Sequence, residues 1–115
     1  MSEFWGTFQN DVVAILDSVH QRMVDNSGLF APGTTCDALP ATATNIASAS
    51  GVDLCDCLVA TYLAAMPYDP SASGASYTSC SAYDSGYTIY QDASTGRITV
   101  AAPSAEIGQV ISVTR

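Results

Sequence analysis

Lysine is absent from this 115-residue chain, and its three arginines face eleven acidic residues, a formal charge of −8. A nucleic-acid partner needs a Lys/Arg surface to displace condensed counterions, so this balance excludes direct nucleic-acid binding. Anionic membrane surfaces are disfavoured for the same reason. No apolar run approaches the ~18 residues of a membrane span, and the opening segment has no signal-peptide pattern. If the protein is secreted, its targeting segment is expected to have been removed. Histidine occurs once, as His20. No GxSxG nucleophile elbow is present, no phosphate loop forms around the isolated Gly74 and Gly86, and no fixed-period repeat is visible.

A hydrophobic content of 48% excludes a wholly disordered chain, and the length suits one domain. Only 12% of residues are charged, which leaves a surface rich in Ala, Ser, Thr and Gly, of a kind more usual in secreted proteins. Four cysteines stand at Cys36, Cys55, Cys57 and Cys80. Zinc ribbons need close pairs spaced by two to four residues, whereas the one close pair here, Cys55 and Cys57, is separated by a single residue and has no counterpart. Disulfides are therefore expected. Cysteines one residue apart bond to each other only with strain. Two pairings stay open, Cys36–Cys55 with Cys57–Cys80, or Cys36–Cys57 with Cys55–Cys80.

Asn10 or Asp11 can cap a helix that runs to about Asn26. Val12, Ile15, Leu16, Val19 and Met23 recur at three- and four-residue steps and share one face, while Ala14, Asp17, Ser18, Gln21 and Asp25 fall opposite. Asn26-Ser27-Gly28 is a stop signal. Residues 1–10 do not continue the pattern and read as an added or replaced segment. The domain is then 11–115, with a helix over 11–26, a connection over 27–76 and a sheet and tail over 77–115. Within the connection, residues 28–52 read as a loop with a turn of helix near Asn45 to Ala49. Asp53, with Asp56 three residues on, resembles a capping box for a second helix from Leu54 to about Ala65, ended by Pro67 and Pro70. The period then changes. Tyr77–Cys80, Tyr87–Gln91, Arg97–Ala101 and Val110–Thr114 read as strands. Asp92–Gly96 reads as a hairpin turn, with Gly96 at the left-handed position. The class is α+β: an N-terminal amphipathic helix packed on a C-terminal antiparallel sheet of three or four strands.

This order of elements resembles the globular half of type IV pilins and the related pseudopilins of type II secretion. Asp11–Leu16 followed by Met23–Gly28 looks like the exposed second half of a pilin's long first helix. Tyr62–Pro70 resembles the family's stretch of tyrosine, short spacer, proline, aspartate and proline. Tyr83–Tyr90 and Gly96–Glu106 resemble the hairpin and tail of small bacterial pilins. The resemblance covers about residues 11–115. It departs from the family in lacking the membrane-traversing N-terminal half-helix and its leader. It implies a structural subunit of an extracellular bacterial pilus, with other pilin subunits as partners in a homopolymer. As this chain the subunit is expected to be monomeric, and membrane contact is expected only through the missing helix. The tryptophan usual in the major pseudopilin's aspartate–proline motif is absent, which favours a pilus subunit. The alternatives are a minor pseudopilin and an unrelated disulfide-stapled binding domain.

Catalysis and cofactors are not expected. Asp17 and His20 form an ordinary helical pair. Asp53 and Asp56 suit capping, and Asp84 and Asp92 suit turns. Calcium at Asp69, Asp84 or Asp92 has no EF-hand spacing behind it. Tyrosine is enriched at interfaces, so Tyr68, Tyr77, Tyr83, Tyr87 and Tyr90 are candidate subunit or surface contacts, against the plainer reading of tyrosine as strand filler.

Overall fold

The apolar stripe does lie on a helix, though a longer one than its periodicity marks. In the computed structural model, which describes residues 2–26, 28, 30, 36–49, 51–59, 61–69, 72, 74–102 and 111–114, helix α1 spans Ser2–Asp25. The expected start at Asn10 or Asp11 is therefore corrected: residues 2–10 continue the same helix. By spacing alone, Trp5 and Phe8 stand seven and four residues before Val12 and so continue its three- and four-residue steps, a continuation the sequence reading set aside. Twenty-four residues at ~1.5 Å each make about 36 Å of helix, close to the longest dimension of the domain, 39 Å. Val12, Ile15, Leu16 and Val19 are fully buried, and Met23 is partly buried against them. Each such side chain contributes about 1.5–3 kcal/mol. Ser18, expected on the polar side, is buried; its hydroxyl donates to the Ile15 carbonyl at 2.8 Å and so needs no water. At the C-terminus, the Gly28 N–H donates to the Met23 carbonyl at 2.7 Å and the Asn26 N–H to Arg22 at 3.0 Å. The Arg22 guanidinium donates to the Phe30 carbonyl at 2.7 Å, fastening the chain as it leaves α1.

Five strands follow α1 among the described residues, not three or four: β1 Thr44–Ala47, β2 Ser76–Ser79, β3 Ala82–Gln91, β4 Ile98–Ala102 and β5 Ile111–Thr114. All pairings are antiparallel, in the order β1-β3-β4-β5, with β2 also on β3. Asp84 stands opposite both Ala47 and Ser76, and Thr88 opposite both Asn45 and Ala101. Hence β1 runs along one edge of β3, while β2 and β4 share the other. The expected helical turn at Asn45–Ala49 is corrected by β1. Asn and Ala have weak strand propensity, but long-range pairing decides: Ile46 is fully buried, and the Asn45 amide donates to Asp84 Oδ1 at 2.9 Å.

The second helix is also shorter than expected. α2 spans only Cys55–Leu58, and Val59 turns to an extended conformation at φ −89°, ψ 136°. Cys55, Cys57 and Leu58 are all buried, so this turn is enclosed on several sides and cannot continue as a surface helix. The described residues up to Ala65 form turns.

Helix α1 lies against β4, β5 and α2. Its stripe joins Ile98, Val100 and Ala102 of β4 in one apolar cluster that also holds Leu54, Leu58 and Met66. Two disulfides, Cys36–Cys57 and Cys55–Cys80, with Cα separations of 5.9 and 5.3 Å, select the second of the two open pairings. The hairpin turn forms with Gly96 at φ +75° and its N–H donating to the Asp92 carbonyl at 2.8 Å. Residues 103–106 of the expected pilin-like tail, and residue 110 of the expected last strand, lie outside the described residues.

Candidate functional site

The inner face of β3 is where sequence-named tyrosines and unanticipated aspartates meet. Strand alternation turns Tyr83, Ser85, Tyr87 and Ile89 inward, and all four are buried. Tyr83 and Tyr87 are therefore not surface contacts of this domain, and that expectation is corrected. A phenol can be buried where its hydroxyl finds a partner, and both do.

Tyr87, at 0% exposure, donates to Asp11 Oδ2 of α1 at 2.6 Å. Burial raises the Asp11 carboxyl above the usual aspartate range; the Tyr87 hydrogen bond opposes that rise, and the Asp69 charge adds to it. Burial, followed by the Asp11 hydrogen bond and the charges of Asp11 and Asp69, raises the Tyr87 phenol far above its ordinary value. Asp69 itself is fully buried, and its N–H donates to the Ser85 carbonyl at 2.7 Å. It occupies the edge of β3 between β2 and β4. Close passage there depends on Gly86. Between the Asn45–Thr88 and Ala47–Asp84 pairs, β1 advances two residues and β3 four, so β3 bulges, with Gly86 at φ +74°. A Cβ at Gly86 would come within 2.8 Å of the Ala72 Cβ and 3.2 Å of the Asp69 Cβ.

Tyr83 fastens α2. Its hydroxyl donates to Asp53 Oδ1 at 2.9 Å and accepts the N–H groups of Leu54 and Cys55 at 3.1 and 3.3 Å. The expected capping box is thus replaced. Leu54 holds the N-cap position without a side-chain cap, and a phenol from β3 takes the first free N–H groups of the turn. Asp53 reaches the Cys55 N–H only at 3.4 Å, and Asp56 is exposed. Burial, then the Asp53 hydrogen bond and charge, raises the Tyr83 phenol well above its ordinary value.

A third pair closes the other end of α1, where Tyr62 donates to Asp25 Oδ2 at 2.6 Å. Beside it, Ala14, Asp17, Ser18, Gln21, Tyr62 and Leu63 line an open groove of about 350 Å³. The remaining sequence-named tyrosines are more accessible. Tyr68 is 43% exposed, Tyr77 is half-buried with its ring tilted against Tyr83 at 6.3 Å, and Tyr90 is half-buried on the outer face of the sheet.

Asp84 and Asp92, singled out by sequence, serve as hydrogen-bond acceptors within the fold. Asp84 Oδ1 accepts from Asn45 and from the Gly86 N–H at 3.0 Å, and Asp92 Oδ1 accepts the Ser94 and Thr95 N–H groups. His20 is half-buried on α1. Among the described residues, no three His, Cys, Asp or Glu side chains gather as a metal site. Sequence reasoning missed Asp11, Asp25 and Asp53 as tyrosine partners. Only Asp11 carried a signal: it lies four residues before Ile15, on the edge of the apolar stripe. Comparison with family models, curated proteins and solved structures gives no match for this chain.

Proposed function

We propose that this chain is the extracellular headgroup of a type IV pilin-like subunit, working by assembly into a bacterial filament and not by turnover. The observation that carries this reading is the placement of α1, a helix about as long as the domain, with its stripe in one core with a C-terminal antiparallel sheet. Such a helix can be extended at its N-terminus by an apolar half that anchors in a membrane and then packs in a filament core. Two interleaved disulfides across residues 36–80 suit an oxidising compartment and fit the connection expected of such a headgroup.

The test joins an apolar helix of about 25 residues in helical register ahead of Ser2, with a cleavable leader, in a bacterium that assembles type IV pili. Filaments carrying this chain, seen by immunogold electron microscopy, are the expected result. A fusion that is inserted, cleaved and folded but never leaves the membrane as a filament overturns the reading.

A further inference from the structure

The outer face of the sheet carries a groove that the assembly reading does not use. Tyr90 stands opposite Thr99, and Thr99 opposite Thr114, so the three side chains form one row across β3, β4 and β5. The row meets the hairpin turn, and together with Asp92, Thr95 and Arg97 it lines an open groove of about 250 Å³. That lies below the ~300 Å³ lower end of usual small-molecule sites, which leaves room for one ring.

The lining combines an aromatic face, four hydroxyls (the Tyr90 phenol included), one carboxylate and one guanidinium. The Thr99 and Thr114 hydroxyls are 2.7 Å apart and share one hydrogen bond, leaving one O–H proton and free lone pairs between them. Asp92 is held by the Ser94 and Thr95 N–H groups on Oδ1, at 2.7 and 3.2 Å. Among the described residues its Oδ2, the Arg97 guanidinium and the Tyr90 hydroxyl have no partner. Tyr62, Tyr83, Tyr87 and Arg22, by contrast, all spend their polar groups on the protein.

We propose that this groove binds a single neutral pyranose ring, with one C–H face on Tyr90 and neighbouring hydroxyls held by Asp92 and Arg97. A sugar hydroxyl both donates and accepts, and a carboxylate beside a guanidinium offers an acceptor and a donor at once. The opposite charges of Asp92 and Arg97 offset each other, and the formal charge of −8 repels polyanions. A neutral ring is thereby preferred to a phosphate or sulfate. The proposal is independent of filament assembly.

The test titrates ¹⁵N-labelled protein with the methyl glycosides of glucose, galactose, mannose and N-acetylglucosamine. Saturable amide shifts confined to the β3–β4 hairpin and Thr114, with Kd on the order of millimolar for one ring, are expected for at least one sugar. Arg97→Gln, at an exposed position, and Tyr90→Ala should each weaken binding about tenfold or more. Tyr90→Phe, which keeps the ring, should weaken it less. The proposal is overturned by the absence of saturable shifts with all four probes, by undiminished binding to Arg97→Gln, or by tighter binding of inorganic sulfate.

Discussion

The two sides of the core solve one burial problem by different means. Where α1 meets β4, the contact is aliphatic: Val12, Ile15, Leu16 and Val19 join Ile98, Val100 and Ala102, all fully buried. Residues 36–80 also bury Ile46, Leu54, Leu58 and Met66, but from a turn of helix, short strands and irregular segments. That region is held by two disulfides, by Tyr83 on α2 and by Asp69 on β3. Non-directional burial tolerates small shifts, whereas cross-links and buried hydrogen bonds fix positions. The first side therefore supplies stability in bulk and the second supplies geometry.

A charge on the aliphatic side should break it outright. Leu16→Asp places an unpaired carboxylate at a fully buried position, a loss of about 4–5 kcal/mol or more against a total of about 5–15 kcal/mol. Circular dichroism should show no cooperative thermal transition. A variant that folds with wild-type stability would contradict the packing of α1.

The covalent side should lose less. Replacing Cys55 and Cys80 together by Ala opens a 25-residue separation and should cost about 3 kcal/mol, mainly by freeing the unfolded chain. Its hydrogen-exchange signature should be local, with protection lost in α2 and β2 but kept in β3 and β4. Equal loss across α1, β3 and β4 would show that the two sides do not differ in this way.

Hydroxyl deletion sharpens the contrast further. Tyr83→Phe leaves the Leu54 and Cys55 N–H groups and Asp53 without the phenol that serves all three, an expected cost of about 2–3 kcal/mol. Tyr87→Phe removes one bond, to Asp11, and should cost about 1–2 kcal/mol. Chemical denaturation of both variants checks the order. If Tyr87→Phe proves the costlier, Tyr83 is not the organising group of the disulfide region.

What the sequence made legible divides along the same line. The stripe from Val12 to Val19 repeats within one helix, and Asp92–Gly96 is turn chemistry within five residues, so local periodicity reveals both. Strand β1 is different: its partners Thr88 and Ile89 lie more than forty residues away, and nothing in Thr-Asn-Ile-Ala announces them. The choice of Cys36–Cys57 over Cys36–Cys55 is likewise made by tertiary approach, which spacing does not encode. Tyr83 and Tyr87 were readable in principle, since Tyr83, Ser85, Tyr87 and Ile89 keep a period of two. Interface enrichment drew attention to the residue type in place of its position. Gly86 and Asp69 could not be matched without the fold, because their contact joins a bulge to a separate segment.

The smallest expected effect concerns the hydrogen bond from Tyr87 of β3 to Asp11 of α1. Asp11 sits beside the stripe, and its carboxyl is raised above the ordinary value of 3.8, burial being the largest cause. A raised carboxyl binds protons more tightly in the folded state, so its contribution to stability is full below the unfolded value and is lost as pH rises through the folded one. Other carboxylates also titrate in that window, so the informative quantity is a difference. Asp11→Asn keeps an oxygen to accept from Tyr87 and cannot ionise. Its melting temperature should gain on that of the wild type as pH is raised from about 4 towards neutrality. Two parallel profiles would mean that the aliphatic side does not feel the charge. A widening gap in favour of the wild type would mean that the Tyr87 hydrogen bond outweighs burial, making Asp11 a fixed strut like Asp53.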